Sequence, residues 1–442
     1  MGELFITNQT GGESGDNIIS IEDAIITLAG NENYVYDGTE KTRHIASVVI
    51  QEQTLVEGRD YVVIGNKGVN AGTYTISIFG IMDYSGIASI DWSIAKKQSS
   101  LTVENNTVSI IGPANTTKIV NITSEGDGII SVESSNTSIA VATINGNEIT
   151  ITSVAAGNAT ITVTISSGNN YSSNSSTINA TVTLVSEILS ENTPEIIQIV
   201  AQARIGSNFW SVGDKTAVIN FQNVTVGALS FSGLSACAFI IGFDHNLEGE
   251  EPGIHFQFGK TEDGKDIAWC DSNYQNSGST SSFRMNTSST NSGGWNESYM
   301  RNTICPAFLN ALPIEWKNVI DDTTKYTDNR GRGNENSDAA GEANAFYISS
   351  TLDKIFLLSE FEMLGERHGA NMYEEYFQEQ YAYYVNGNHV LKYKHNNTTA
   401  VCFWWTRSVY AFNSTSFVAI YGNSREPDAS TSFGFAPAFR IG

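Results

Sequence analysis

Short runs of β-branched and aromatic residues, separated by turn residues, fill residues 100–186 and restrict how this stretch can fold. Seven such runs follow one another at intervals of roughly 8–12 residues, the spacing typical of a β-sandwich. They are Thr107–Ile111, Lys118–Thr123, Ile129–Glu133, Ile139–Ile144, Glu148–Val154, Ala159–Ile165 and Thr177–Val185. Asn145-Gly146 predicts a hairpin turn between two of them, because both central positions of such a turn need positive φ. We predict one small β-sandwich over residues 99–187.

The residues before this stretch show the same pattern and predict another small β-sandwich over residues 26–98. Tyr61–Ile64 and Thr73–Ile78 are β-branched runs, the second with strict alternation, and Lys96–Ser99 is typical of a linker. Residues 1–25 begin with a Gly-, Asn- and Ser-rich stretch and predict an N-terminal attachment arm. A frayed tail is the alternative.

The composition changes after residue 188. Thr193 followed by Pro194 predicts the start of a helix, because Thr caps a helix well and Pro fits its first position. Gly206 predicts the end of that helix. Aromatic residues then become frequent, and strand patterns alternate with short helical ones. Residues 188–442 are therefore predicted to form an α+β domain in a chain that is multidomain and mostly β.

The charge of the chain excludes several classes of partner. Lys and Arg total 24 against 47 Asp and Glu, so the 442 residues carry a formal net charge of −23. Such an acidic surface repels phosphate backbones and anionic lipid head groups, and we expect no nucleic acid partner and no membrane insertion. The first four residues, Met1 to Leu4, do not form a secretory signal. We expect that an export signal was removed or that the protein reaches the outside without one.

The four cysteines are Cys237, Cys270, Cys305 and Cys402. An even number would allow two disulfides with three possible pairings, whereas the common burial of free Cys favours buried thiols. No CxxC pair occurs, so a zinc knuckle is not supported.

Tests for an enzyme mostly fail on the sequence. The chain has no HExxH motif, no GxSxG nucleophile elbow and no phosphate loop. The histidines of the C-terminal region are scattered, at His245, His255, His368, His389 and His395. Two groups of carboxylates could supply a glycosidase pair, but their near-helical spacing favours a solvated helix face. They are Glu360, Glu362 and Glu366, and Glu374, Glu375 and Glu379. We expect no enzyme activity, no cofactor and no metal.

Residues 409–432 have the composition of a binding surface. Aromatic anchors add contact area at low entropic cost, and small polar side chains adapt their hydrogen bonds to a ligand. The residues predicted to bind a ligand are Tyr410, Phe412, Asn413, Ser414, Ser416, Tyr421, Asn423, Arg425, Asp428, Ser430 and Ser432. Val418-Ala419-Ile420 predicts a buried strand among them. An ordinary pair of loops over a sheet is the alternative.

Both β-rich segments resemble spacer modules of bacterial surface proteins. Residues 34–94 resemble the MBG-type β domain through Tyr36-Asp37-Gly38, Leu55–Tyr61, Asn70–Tyr74 and Asp83–Gly86. Residues 100–186 resemble the bacterial immunoglobulin-like group 2 domain through Ile130–Val132, Ile139-Ala140, Ile149–Ile151 and Ala156–Ile161. The resemblance implies two immunoglobulin-like modules without catalytic residues.

The terminal region resembles a family with a C-type-lectin-like fold that ends many phage and bacterial surface proteins. The matching phrases are Phe209–Asp214, Gly293–Arg301, Leu312-Pro313, Ile355–Glu362, Trp404–Ser408 and Gly434–Ile441. Most of these residues are expected to be scaffold. We expect three tryptophans in the core, two arginines on buried carbonyls or carboxylates, and two glycines in turns. These residues are Trp295, Trp404 and Trp405, Arg301 and Arg407, and Gly422 and Gly434.

Two further resemblances concern possible ligands. The 409–432 segment is similar in position and composition to the variable region of proteins diversified by retroelements. Glu426-Pro427-Asp428 resembles the calcium-binding triplet of sugar-binding lectins, but no Trp-Asn-Asp triplet follows, and we expect no calcium there. An acidic cluster without EF-hand spacing is expected to be solvated loop carboxylates. Its members are Asp263, Asp266 and Asp271.

These features predict a virion-associated adhesin, the receptor-binding protein of a phage tail or head fibre. Its partners would be a host surface glycan or protein and, through the N-terminal segment, other virion proteins. We expect a homo-oligomer or several copies on the virion surface, which would give avidity. The alternatives are a bacterial cell-surface or secreted adhesin with the same modules, a glycan depolymerase, and a structural virion decoration without a ligand.

Overall fold

The computed structural model describes residues 18–30, 32–226, 229–231, 233–270, 283–331, 345–387 and 390–442. The chain divides into two compact units. The N-terminal unit comprises residues 1–110 and 114–183, and the C-terminal unit comprises residues 111–113 and 184–442. The architecture is multidomain and mostly β, as predicted.

The first module of the N-terminal unit is built from short strands around one aliphatic core. The strands are β1 (Ile19–Ser20), β2 (Ile25–Leu28), β3 (Tyr34–Val35), β4 (Lys41–Thr42), β5 (Ile45–Ile50), β6 (Gln53–Thr54), β7 (Tyr61–Ile64), β8 (Lys67–Gly68), β9 (Gly72–Gly80), β10 (Tyr84–Ser85), β11 (Ile87–Ala95) and β12 (Lys97–Gln98). Its main sheets have the orders β3-β11-β9-β7 and β2-β5-β6. Val48 and Ile50 from one sheet and Tyr61 and Ile78 from the other share a core.

The module begins earlier than the predicted boundary at residue 26. Strand β1 pairs in parallel with β10, and Ile21 is completely buried, so these residues belong to the sheets and not to an arm. The rest of the predicted arm, residues 1–17, lies outside the described residues.

The second module is a sandwich of two four-stranded sheets. Its strands are β13 (Ser100–Val103), β14 (Thr107–Gly112), β15 (Thr117–Glu125), β16 (Ile130–Ser134), β17 (Ala140–Asn145), β18 (Glu148–Ser153), β19 (Gly157–Ile165), β20 (Tyr171–Ser172) and β21 (Asn174–Leu184). The sheet orders are β13-β15-β18-β17 and β14-β21-β19-β16. In β19, Ala159, Ile161, Val163 and Ile165 are buried and alternate with more exposed residues. This alternation is why the spacing of the runs predicted the sandwich.

Two local predictions in this unit need correction. The β17–β18 hairpin exists, but Asn145 pairs with Glu148, so the central turn residues are Gly146 and Asn147. Only Gly146 has positive φ, at 59°, which fits a II′ turn and not the I′ turn expected for Asn-Gly. The predicted linker at Lys96–Ser99 contains strand β12, which pairs in parallel with β20 of the second module.

The C-terminal unit is α+β, with short helices between strands. The helices are α1 (Pro194–Gln202), α2 (Gly294–Glu297), α3 (Cys305–Ala311), α4 (Ile314–Val319), α5 (Glu360–Leu364) and α6 (Ala382–Val385), with 3-10 turns at Leu189–Glu191, Gly206–Asn208, Ala345–Tyr347 and Met372–Tyr376 and a π-helical turn at Met300–Ile304. The strands are β22 (Ile219–Asn220), β23 (Thr225–Val226), β24 (Leu229–Ser230), β25 (Ser235–Phe243), β26 (Ile254–Lys260), β27 (Ile267–Ala268), β28 (Thr323–Asp328), β29 (Ile348–Asp353), β30 (Lys392–Lys394), β31 (Asn397–Cys402), β32 (Trp404–Val409), β33 (Phe417–Ile420), β34 (Ser424–Arg425) and β35 (Ala438–Ile441). The largest sheet has the order β22-β25-β26-β35, and smaller sheets have the orders β27-β30-β31, β32-β33-β34 and β28-β29.

Helix α1 starts where the sequence predicts. The Thr193 hydroxyl accepts a hydrogen bond from the Ile196 backbone N–H, and Pro194 occupies the first helical position. The helix ends at Gln202, before the predicted stop at Gly206, and Arg204 follows with a positive φ of 56°.

The core of this unit confirms most scaffold predictions. Trp295, Trp404 and Trp405 are completely buried, and all four cysteines are buried free thiols. Gly422 lies in a turn with φ of 74°. Gly434 is instead a bridge residue beside Trp404, where an added Cβ would lie 2.8 Å from the Phe403 carbonyl oxygen. None of the helices in the described part of the chain is long and apolar enough to cross a membrane.

Candidate ligand-binding face

The predicted binding residues surround strand β33, which is completely buried as Val418-Ala419-Ile420 predicted. In this sheet Val409 of β32 pairs with Phe417, and Ile420 pairs with Ser424 of β34. The connections β32–β33 and β33–β34, strand β34 and the chain that follows it carry the predicted residues. We call the exposed surface of residues 410–430 the loop face.

The loop face has two aromatic ends. Tyr410 and Phe412 lie beyond the Val409–Phe417 pair, and their rings are 5.4 Å apart. Tyr421 lies beyond the other end of β33 and stacks on Phe403 with ring centroids 4.4 Å apart. Four strand residues separate the two ends by roughly 13 Å. Phe412 is 45% exposed and Tyr421 is 40% exposed, so each end presents an aromatic surface to a ligand.

Several predicted polar residues hold the loops together. The Asn413 carboxamide oxygen accepts hydrogen bonds from the backbone N–H groups of Thr415 and Ser416, at 2.9 and 2.8 Å. One Asp428 oxygen accepts from the backbone N–H and hydroxyl of Ser430, at 2.9 and 2.6 Å, and the other from Ser289. Burial alone would raise the pKa of Asp428, but these hydrogen bonds lower it. The carboxylate that resembled a calcium ligand therefore has local donors.

The predictions for Ser416 and Ser432 are wrong, because both side chains are buried. The Ser416 hydroxyl instead accepts a hydrogen bond from the Asn413 amide, at 3.0 Å. Ser414 and Ser430 are half-buried, whereas Asn423 and Arg425 are exposed and remain available to a ligand. Asn, Asp and Ser side chains form hydrogen bonds readily with nearby backbone groups. The same polar composition is therefore found in loops that bind a ligand and in loops that only stabilise their own backbone.

Two buried side chains fix these loops, Asn291, which the sequence analysis missed, and Glu360, which it expected on a solvated helix face. The Asn291 amide donates to the backbone carbonyls of Asn413 and Ser416, at 2.8 and 3.0 Å. Glu360 accepts from the backbone N–H groups of Gly369 and Ala370, with a shortest distance of 2.7 Å, and from the Ser424 hydroxyl. Charged acceptors make the stronger hydrogen bonds, so Glu360 ties residues 369–370 to the start of β34.

A buried network of charged side chains includes Arg407 of strand β32. Arg407 donates two hydrogen bonds to Glu362, at 2.5 and 2.8 Å, and Lys325 donates to the same carboxylate at 3.1 Å. Lys325 also donates to both oxygens of Glu250, at 2.8 and 2.9 Å. Burial alone would raise the pKa of Glu362, but the charges of Arg407 and Lys325 bring it well below its usual range. The prediction that Arg407 would satisfy a buried carboxylate is confirmed.

His245 and His255 flank the same Glu250 carboxylate. One ligand atom from each of the three residues lies within 4.8 Å of the others, as in a metal site. However, both Glu250 oxygens accept from the Lys325 ammonium, which therefore occupies the position that a cation would need. Burial and the nearby Lys325 charge lower the pKa of His255 well below its usual value. The residues fit a buried network of hydrogen bonds and ion pairs better than a metal centre.

Glu374 extends the network with a third buried acid. Its carboxylate accepts from the hydroxyls of Thr327 and Ser408, at 2.6 and 2.7 Å. Burial raises the pKa of Glu374 to about 7, because these hydrogen bonds only partly offset the loss of water.

The expectation of a solvated glutamate face is wrong for three of its six residues. Glu360, Glu362 and Glu374 are completely buried, whereas Glu366, Glu375 and Glu379 are exposed. A signal for this was present in the sequence. Ser359 and Glu362 form a capping box at the start of α5, and the motif Ser-x-x-Glu predicts one.

The second acidic cluster is also only partly solvated. Asp263 is exposed, but Asp266 accepts from the Lys260 ammonium at 2.6 Å and from the Tyr383 hydroxyl at 3.1 Å. Asp271 and His389 lie outside the described residues. His368 is exposed beside Glu366, and His395 accepts from the Cys270 backbone N–H at 3.0 Å.

Comparisons with known proteins add little to this geometry. Residues 271–442 match the model of a family described as a domain of unknown function (DUF6273), which covers less than half of the chain. A search of curated proteins gives no match.

Solved structures with similarity to the chain include immunoglobulin-like repeats. Domains 4 and 5 of the S-layer protein SbsC share 18% identity over 36% of this chain and 97% of theirs, with a TM-score of 0.16. A variant of titin domains I67–I69 shares 12% identity over 37% of this chain and 66% of its own, with a TM-score of 0.20. The tandem Ig repeats of Dlar share 12% identity over 37% and 97%, with a TM-score of 0.17. These scores are too low to assign a fold or a function.

Proposed function

We propose that the chain is an extracellular adhesin that binds its ligand through the loop face of the C-terminal unit. One observation carries this proposal. Phe412 and Tyr421 remain substantially exposed, while the loops that present them are fixed by buried polar side chains such as Asn291 and Glu360. Fixed aromatic anchors bind with a low entropic cost, which is the property that recognition surfaces need.

Binding without catalysis fits the buried carboxylates better than hydrolysis does. A glycosidase needs two carboxyl groups that reach the scissile bond. Glu362 and Glu374 are completely buried and bonded to partners within the unit, and neither reaches the loop face. We therefore favour an adhesin over a depolymerase.

Our finer assignment is a phage receptor-binding protein in a tail or head fibre. The two β modules would act as spacers of the MBG and bacterial immunoglobulin-like types, and the C-terminal unit would be a C-type-lectin-like domain that recognises a host glycan or protein. The same modules would also serve a bacterial cell-surface adhesin. Diversification of the loop face by a retroelement is part of this proposal and is tested by aligning strain variants over residues 409–432.

The proposal is tested with fluorescently labelled full chain on a panel of intact bacterial strains, by flow cytometry. We expect Phe412→Ala and Tyr421→Ala each to reduce binding to a recognised strain, and the double variant to abolish it. Tyr376→Ala is the matched control, because Tyr376 is an exposed aromatic of the same unit outside the loop face. Each variant should keep the circular dichroism spectrum of the parent chain.

Two results would reject the loop face as the binding site: unchanged binding by the double variant, or an equal loss with Tyr376→Ala. Absence of binding to every strain would contradict the adhesin proposal. Treating the cells with periodate or with protease before the assay distinguishes a glycan ligand from a protein ligand.

A further inference from the structure

The C-terminal unit contains a cavity that shares no residue with the loop face. It has a volume of about 260 Å³ and lies between helix α3 and strand β29. Its walls are mainly apolar, formed by Pro306, Leu309, Leu352, Ile355 and the thiol of Cys305. Burial raises the pKa of Cys305 well above its usual value, so the thiol is neutral and adds no charge to the cavity.

The charged residues of the cavity leave one positive charge in excess. Among the described residues, Arg301 and Lys354 line it together with one carboxylate, Asp353. This local excess contrasts with the net charge of −23 on the whole chain.

Asp353 carries one negative charge and pairs with Arg301, and both of its oxygens accept hydrogen bonds. One oxygen accepts from Arg301 Nε at 2.6 Å, and the other accepts from Trp295 Nε1 at 3.0 Å and from the Thr351 hydroxyl at 2.6 Å.

The Arg301 guanidinium keeps donor capacity at one nitrogen. Nη1 donates to the backbone and side-chain oxygens of Asn296, both at 3.2 Å. Nη2 carries two N–H groups and, among the described residues, has one long partner, the Leu352 carbonyl at 3.4 Å. With Nε and Nη1 engaged, Nη2 is the nitrogen that can still donate a charge-assisted hydrogen bond to an anion.

We propose that this cavity binds a small organic carboxylate. The carboxylate is held by Arg301 Nη2, and the apolar body of the ligand packs against Pro306, Leu309 and Ile355. The amide of Asn302 donates to the carbonyls of Asn296 and Ser298, at 2.9 and 3.0 Å, so it offers no donor for ligand hydroxyls. The apolar walls of the cavity therefore favour a ligand with an apolar body. This site is independent of the proposed function.

The test is a calorimetric titration of the full chain with benzoate and 4-methylpentanoate, against the neutral benzamide and 4-methylpentanamide. We expect saturable binding of the acids with Kd of roughly 1 mM or below and none of the amides. The peptide Gly-Gly-Leu with a free C-terminus presents the same group. Its binding would identify a polypeptide end as the source of the carboxylate, and its failure would identify a free small acid.

Leu352 provides a matched pair of variants, because its side chain is 57% exposed at the cavity and can be changed at little cost to the core. We expect Leu352→Asp to weaken benzoate binding roughly tenfold by charge repulsion, and Leu352→Asn to leave it within about twofold. Both variants should bind bacteria as the parent chain does. Equal binding of benzamide, no saturable binding of either acid, or unchanged affinity in Leu352→Asp would overturn the proposal.

Discussion

The two units of this protein bury different kinds of side chains. In strand β19 of the second module, buried aliphatic residues alternate with more exposed ones, so each sheet has one dry and one wet face. In the C-terminal unit, strands β26 and β32 are buried along their whole length and carry His255, Gln257 and Arg407 inward. A sheet covered on both sides must pair every polar residue it encloses, whereas a sandwich can turn its polar residues to water.

The largest expected effect comes from breaking the buried ion pairs of the C-terminal unit. Glu362→Gln leaves Arg407 and Lys325 without a shared carboxylate, and we expect a loss of about 3–5 kcal/mol in the free energy of unfolding. Tryptophan fluorescence during denaturation reports mainly this unit, because Trp92 is the one tryptophan of the seven that lies in the N-terminal unit. Glu366→Gln, in an exposed neighbour, is the control. A loss below about 1 kcal/mol would show that the network contributes no more than surface pairs do.

A substitution that leaves a cavity among the aliphatic side chains of the N-terminal unit should destabilise that unit and leave the C-terminal unit unchanged. Ile161 is completely buried in β19, and we expect Ile161→Ala to cost about 2–5 kcal/mol. Ile119→Ala makes the same change in a side chain that is 56% exposed and should have little effect. Hydrogen exchange resolved by peptide measures each unit separately. A matching loss of protection in residues 184–442 would contradict the independence of the units.

The buried acids should make the C-terminal unit depend on pH. Glu374 has a folded pKa of about 7, above the ordinary 4.5, so the folded state binds more protons between these values. The contribution of Glu374 to the free energy of unfolding is therefore complete below about pH 4.5 and is lost as the pH rises through 7. The expected fall is roughly 3 kcal/mol, since the folded pKa lies about 2.5 above 4.5 and each pH unit corresponds to about 1.36 kcal/mol.

Glu374→Gln tests this dependence by removing the titration. Arg407 of strand β32 is the charged group that acts on Glu374, and the backbone N–H of Asp328 in strand β28 donates to its carboxylate; both stay in the variant. Denaturation from pH 5 to 8 should show a flatter profile than in the parent chain. An unchanged slope would assign the dependence to another group.

The smallest expected effect concerns the β17–β18 hairpin. Gly146 has φ of 59° and open space around it, so a side chain there meets strain and no clash. We expect Gly146→Ala to cost about 1 kcal/mol and Gly146→Asn less, because Asn tolerates this conformation better. Equal losses for the two variants, measured by denaturation, would show that backbone strain is not the cause.

The local sequence pattern was sufficient to predict those elements whose structure depends on residues close together in the sequence. The alternation in β19 and the Thr193-Pro194 start of α1 were both readable, because each depends on residues only a few positions apart. The loop face was placed around the correct strand, but its composition could not separate exposed Asn423 from buried Ser416. The same polar residues serve ligands and loop backbones.

The tertiary structure alone decided which charges are buried. Lys325 meets Glu362 across 37 residues and Glu250 across 75, and no local period relates such positions. A carboxylate is stable inside a protein when a distant cation and its hydrogen bonds replace water. The sequence by itself determined that the chain is mostly β and where strands such as β19 and β33 lie. Only the tertiary structure brings together the partners that allow Glu360, Glu362 and Glu374 to be buried.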